Sequence, residues 1–128
     1  MTSLRKNSPQ LLLIDEDASV RRDLQLMLQG KGYQVLSFAS ASAALADPAS
    51  VAITHVVVDY SMPCCDGIES LRTLQSRGWH GVAVLITASF SEPLREQALA
   101  AGFAEVLSKP VRDDALLEEL ATVAEPTS

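Results

Sequence analysis

Leu11-Leu12-Leu13-Ile14-Asp15-Glu16-Asp17 is a short apolar run that stops abruptly at three consecutive acids. Such a run reads as a buried strand feeding a loop. The period then changes: Val20, Leu24, Met27 and Leu28 fall at helical spacing, and Gly30 and Gly32 end the helix. The same grammar recurs downstream. Tyr33 to Phe38 has strand character, and Ser42 to Leu45 reads as a brief helix stopped by Asp47-Pro48. Val56-Val57-Val58 is a β-branched run ending in Asp59, followed by Ile68, Leu71 and Leu74 at helical spacing and a stop at Gly78. Val82 to Ile86 ends in Thr87 and leads to a helix marked by Leu94, Ala98 and Ala101 and closed by Gly102. Ala104 to Leu107 runs into Ser108-Lys109-Pro110, and Leu116, Leu117, Leu120 and Val123 mark a last helix.

Five strands alternating with five helices call for an α/β fold, a parallel sheet with helices on both faces. Right-handed crossovers point all the strands one way, so their carboxyl ends share one edge. Ligands of such sheets bind in the crevice at that edge. The residues placed there are Asp15, Glu16, Asp59, Thr87 and Lys109.

The 128 residues fit one domain, and nearly half are apolar, enough for a core without disulfide or metal staples. A polar extension (1–9) precedes a single domain (10–124), and a polar tail (125–128) follows. A net charge of -6, with no basic run longer than Arg5-Lys6 or Arg21-Arg22, argues against direct nucleic-acid binding. Cys64 and Cys65 are adjacent and read as free thiols, since neighbours form no ordinary bridge and no second pair completes a zinc site. No run is long enough to span a bilayer, and Met1 to Gln10 lack an apolar signal core. The expectation is a cytoplasmic chain with no membrane partner.

Converging carboxylates repel one another and take up protons or a cation. Their oxygens suit a hard ion such as Mg²⁺. Lys109 adds a point positive charge, and Thr87 a hydroxyl donor. Metal, ammonium and hydroxyl around a carboxylate are the parts phosphoryl transfer needs. A carboxylate can itself be the nucleophile, giving an acyl phosphate. Asp59 is the candidate because it stands alone at a central strand end, whereas Asp15 and Glu16 are paired and better suited to a metal. Asp17 reads as the cap of the first helix. His55 and His80 are isolated and read as packing or surface residues, and Trp79 as a partly buried loop anchor. Asp113-Asp114 and Glu118-Glu119 read as the acidic first turn and solvated face of the last helix.

Together, Asp15-Glu16, the stretch from Asp59 to Gly67, Thr87-Ala88 and Lys109-Pro110 resemble the receiver domain of two-component response regulators. The resemblance spans roughly residues 10 to 124. It implies a flavodoxin-like (βα)5 fold with strand order 2-1-3-4-5. It implies that Asp59 is the phosphoacceptor, supplied by the histidine of a partner kinase or phosphotransfer protein. Asp15, Glu16, Asp59 and the backbone carbonyl of Ser61 match the Mg²⁺ (or Mn²⁺) site. Thr87 matches the switch hydroxyl, and Lys109 the lysine that pairs with the phosphoryl oxygens. The Lys109-Pro110 bond matches one often cis in the family. Pro63 and Gly67 match a tight loop in which glycine permits positive φ. Such a domain modifies only itself and is not an enzyme on external substrates. It also allows a phosphorylation-dependent homodimer through the face of helix four, strand five and helix five.

Three positions depart from the family pattern. Glu16 replaces the commoner aspartate and lengthens one metal arm, and Cys65 stands where methionine is frequent. Val106 occupies the place of an aromatic residue that moves with the switch hydroxyl, which puts the usual relay to that face in question. Two other functions stay open on the sequence. One is an interaction module that keeps the fold without phosphate. The other resembles haloacid-dehalogenase-like phosphatases, with Asp15 as nucleophile and Asp17 as general acid.

Overall fold

A computed structural model describes residues 9–47, 52–62 and 66–121. Pro63, Cys64, Cys65, Val123 and the terminal polar segments lie outside the described residues. The chain alternates strictly. β1 (Gln10–Ile14), β2 (Gln34–Phe38), β3 (His55–Asp59), β4 (Val82–Thr87) and β5 (Glu105–Ser108) are the strands. α1 (Ala18–Gly30), α2 (Ala41–Ala46), α3 (Gly67–Ser76), α4 (Glu92–Ala101) and α5 (Asp113–Leu120) are the helices. The strands form one sheet in the order β2-β1-β3-β4-β5, and every pairing is parallel. The expected flavodoxin-like architecture and strand order are therefore present.

Strand alternation sends successive side chains to opposite faces, and each face has its own helices. Leu12, Ile14, Val56, Val58, Ala83, Leu85 and Val106 share a core with Ile68, Leu71, Leu74, Leu94 and Ala98 of α3 and α4. Leu11, Leu13, Val57, Val84 and Ile86 pack on Leu24 and Leu28 of α1 and Leu116 and Leu120 of α5. The three central strands β1, β3 and β4 are buried almost throughout, which is why they read as unbroken apolar runs.

Helix ends follow local chemistry, with small shifts from the sequence boundaries. Asp17 caps α1, its carboxylate accepting from the Ser19 and Val20 amides at 2.9 and 3.1 Å. Gly30 is still helical, and the turn is made at Gly32, where φ is 99°. α3 opens with a reciprocal box: Glu69 N–H donates to Asp66 Oδ1 at 2.9 Å, and Asp66 N–H donates to Glu69 Oε1 at 3.2 Å. Trp79 is buried and its Nε1–H donates to the Ile53 carbonyl at 2.8 Å, anchoring the loop before β4 as its polar tip requires.

Candidate functional site

The parallel sheet carries Asp59 to the last position of β3, in register with Ile86 of β4. Thr87 is the next residue along β4, paired with Ser108. Asp15 lies one residue past β1, its amide held by the Phe38 carbonyl at 3.1 Å. Lys109 lies one residue past β5, its amide held by the Thr87 carbonyl at 2.8 Å. The Lys109-Pro110 bond is cis, as the resemblance implied. Parallel ladders thus bring four residues, scattered over nearly a hundred positions, to one edge.

Three of the four are almost wholly removed from water: Asp15 and Thr87 are 0% exposed and Asp59 4%. Lys109 Nζ lies 2.9 Å from Asp15 Oδ2 and 3.4 Å from Asp59 Oδ2. The ammonium therefore sits closer to Asp15 than to Asp59, a preference the sequence did not suggest. Burial pushes the Asp59 carboxyl above the usual aspartate range, and the charge of Asp15 pushes it further. Lys109 and the Ser61 backbone hydrogen bond only partly offset this. Burial works to lower Lys109, but its contacts with Asp15 and Asp59 outweigh it and hold the ammonium above its ordinary value.

Asp15 has an uneven set of partners. Its Oδ1 accepts from the Asp17 amide at 2.9 Å, and its carbonyl accepts from Arg21 Nη1 at 2.7 Å. Oδ2 is buried, and among the described residues its one polar contact is the Lys109 ammonium at 2.9 Å, off the line of a well-directed hydrogen bond. Two buried carboxylates sharing a single ammonium, one with an oxygen that lacks a well-directed hydrogen bond, fit a hard cation with oxygen ligands. Glu16 is exposed and does not join the two buried acids. Among the described residues no three His, Cys, Asp or Glu side chains already converge as a cation site. Ser61 is exposed at the same edge. The donors fit such an ion in kind, with Glu16 at the rim rather than in place.

Thr87 accepts from the Ser89 amide at 3.0 Å through Oγ1, which leaves its own O–H free to donate elsewhere. It is not a helix cap: Ser91 takes that part, accepting from the Leu94 amide at 3.2 Å. Gly67 requires a correction. It is helical and absent from the positive-φ glycines, which are Gly32, Gly78, Gly81 and Gly102. Its constraint is close approach, because a Cβ there would stand 2.6 Å from Leu85 Cδ1 and 2.9 Å from the Asp59 carbonyl oxygen. Asp17, the general acid of the phosphatase alternative, has its carboxylate engaged at the α1 cap. Arg21 is the residue that sequence reasoning missed. Arg21-Arg22 stood out only as a basic pair, and nothing local shows that one member reaches back to Asp15.

The sequence matches the family model of the response regulator receiver domain over residues 11–121. It is 33% identical over 105 residues to the transcriptional regulatory protein FixJ of Azorhizobium caulinodans, covering 82% of this chain and 50% of that protein. It is 36% identical over 115 residues to the C4-dicarboxylate transport transcriptional regulatory protein DctD of Pseudomonas aeruginosa, covering 87% of this chain and 24% of that protein. The chain therefore spans half or less of these two relatives. Among solved structures, a receiver protein from Pseudoalteromonas atlantica superposes with a TM-score of 0.78 at 26% identity, covering 87% of this chain and 93% of that one. The Vibrio cholerae chemotaxis protein CheY4 gives a TM-score of 0.80 at 24% identity, covering 88% and 95%, a likeness of fold.

Proposed function

We propose that this chain, which belongs to the response regulator receiver domain family, takes a phosphoryl group on Asp59 and acts as a switch in two-component signalling. One observation carries the reading. A carboxylate that is 4% exposed ends the central strand, with an ammonium 3.4 Å away and a second buried carboxylate sharing that ammonium. In the proposed step an Asp59 carboxylate oxygen attacks the phosphorus of a phosphohistidine on a partner kinase or phosphotransfer protein. A P–O bond forms, the P–N bond breaks, and the imidazole leaves with the electron pair and takes up a proton. A bound Mg²⁺ or Mn²⁺, held by Asp15, Glu16, Asp59 and the Ser61 carbonyl, would neutralise charge on the transferring oxygens. Lys109 supplies a second positive charge and Thr87 a donor hydroxyl to the new phosphoryl oxygens. Water attack on the phosphorus then returns the carboxylate and inorganic phosphate, so the protein modifies itself and no external substrate.

The added charge and acceptor oxygens would draw Thr87 and Lys109 and bias the surface between two states. Residues 10–124 would form that single receiver unit, with 1–9 and 125–128 as polar flanks. The chemistry belongs in the cytoplasm with the kinase; among the described residues no helix is long and apolar enough to cross a membrane. A second reading, a phosphate-independent module, draws on Val106, which is buried in the core without a ring to move.

Intact mass spectrometry after incubation with Mg²⁺ and acetyl phosphate separates the two. The expected result is one labile phosphoryl group, lost on chelation and absent from Asp59→Asn. A folded protein that binds Mg²⁺ yet gains no phosphoryl group and no beryllofluoride would leave only the module.

A further inference from the structure

Arg21 makes a contact for which the phosphoacceptor reading has no use. Its guanidinium reaches six residues back, from the first turn of α1, and donates to the Asp15 carbonyl at 2.7 Å in a partly buried position. A charge-assisted bond this short is at the strong end of its class. It completes a set of restraints on one residue. The Asp15 amide is held by Phe38, its carbonyl by Arg21 and its Oδ1 by the Asp17 amide, so only Oδ2 lacks a well-directed hydrogen bond. The gripped carbonyl belongs to the planar peptide that joins Asp15 to Glu16. Holding that plane restrains the Asp15 backbone and the direction in which Glu16 leaves the strand, while the Asp17 amide on Oδ1 restrains the carboxylate itself.

We propose that Arg21 is a positioning residue of the acid site, restraining the Asp15–Glu16 peptide so that the Asp15 carboxylate is held for a divalent ion and Glu16 is kept at the rim of the site. The inference rests on the phosphoacceptor reading and concerns the same site. Electrostatics and positioning make opposite demands here. A guanidinium beside a cation site, acting through charge alone, would weaken cation binding, and its removal would strengthen it. Partners behind metal ligands act the other way, and their loss costs about 10–100-fold in affinity.

The experiment is Mn²⁺ binding by electron paramagnetic resonance in wild type, Arg21→Met and Arg21→Lys. It is accompanied by thermal unfolding and by amide hydrogen exchange of metal-free protein. Arg21→Met should bind Mn²⁺ about tenfold or more weakly. Arg21→Lys should regain part of the loss, because an ammonium can donate to the same carbonyl. In metal-free Arg21→Met the Asp17 amide, which holds Asp15 Oδ1, should exchange faster while the amides of β3 stay protected. If Arg21→Met does not fold, Arg21→Ala carries the same comparison, since it too removes the donor. Equal or tighter Mn²⁺ binding by a folded variant, with Asp17 exchange unchanged, would overturn the positioning role alone. Wild type that binds no Mn²⁺ would overturn the phosphoacceptor reading itself, and this role with it.

Discussion

At Asp59 several influences act on one proton. Burial and the charge of Asp15 favour the neutral form, and Lys109 and the Ser61 backbone oppose them without prevailing. The folded-state value therefore lies above the unfolded one. Stability from this group is present below the unfolded value of about 4 and is lost as pH rises through the folded value. At pH 7 in chelator, Asp59→Asn is expected to raise the melting temperature, with the gain shrinking toward pH 4. Calorimetry at both pH values measures this, and an equal or lower melting temperature at pH 7 would show the Lys109 contact to be dominant. Gly67 makes a steric demand. Gly67→Ala places a methyl group against Leu85 and the Asp59 carbonyl. The expected cost is about 1–3 kcal/mol by urea denaturation. Phosphorylation by acetyl phosphate should also slow, because the shift falls on the acceptor's own backbone. Unchanged stability would mean that α3 can slide away without cost.

Elements are joined far from the acid edge as well, and His55 shows how. It opens β3 at the opposite end of the strand from Asp59. Its Nε2 lies 3.1 Å from the carbonyl of Leu120, the last residue of α5, and its Nδ1 2.7 Å from Thr54 Oγ1. The ring also meets Tyr33 edge-on, with centroids 5.2 Å apart. Burial holds the imidazole below its ordinary value, and the bond to Leu120 only partly restores it. A proton then binds the unfolded chain more readily than the folded one. Stability from this group is full above the unfolded value of about 6.5 and falls as pH drops below it. Urea midpoints at pH 7.5 and 5.5 should drop more for wild type than for His55→Gln. At pH 7.5 that variant should lose about 1 kcal/mol with the carbonyl bond. Equal pH slopes in the two proteins would remove His55 from the pH response. The packing role read from an isolated histidine is thus the one it has, though the α5 contact lies 65 residues away and left no local mark.

For the whole molecule, charge bears on assembly. Arg95 of α4 makes a two-pronged pair with Glu105 of β5 at 2.7 and 3.1 Å, and it also feels Glu92 and Glu119. Burial, and then Glu105 and Glu118, push Glu119 above the usual glutamate range. A two-fold dimer sets the same patch against itself, and with Arg95 already paired to Glu105 the exposed Glu92, Glu96, Asp113, Asp114 and Glu118 of α4 and α5 leave an excess of like charge on that face. Equilibrium sedimentation is therefore expected to give the monomer mass both with and without acetyl phosphate. A doubled mass on phosphorylation would restore dimerisation through this face. By itself the sequence determined the five strand–helix repeats, the parallel sheet and the edge at which Asp15, Asp59, Thr87 and Lys109 gather. Apolar period and strand-end acids are local signals, and right-handed crossovers leave few ways to assemble them. It also carried the family resemblance, because motif order survives in linear form. Only the tertiary structure decided that Lys109 stands nearer Asp15 than Asp59, that Arg21 grips the Asp15 carbonyl, and that Gly67 answers a close approach and not a positive φ. Those outcomes depend on side-chain direction and on distances of a few ångströms between elements distant in sequence. Residue spacing along a chain carries no record of them.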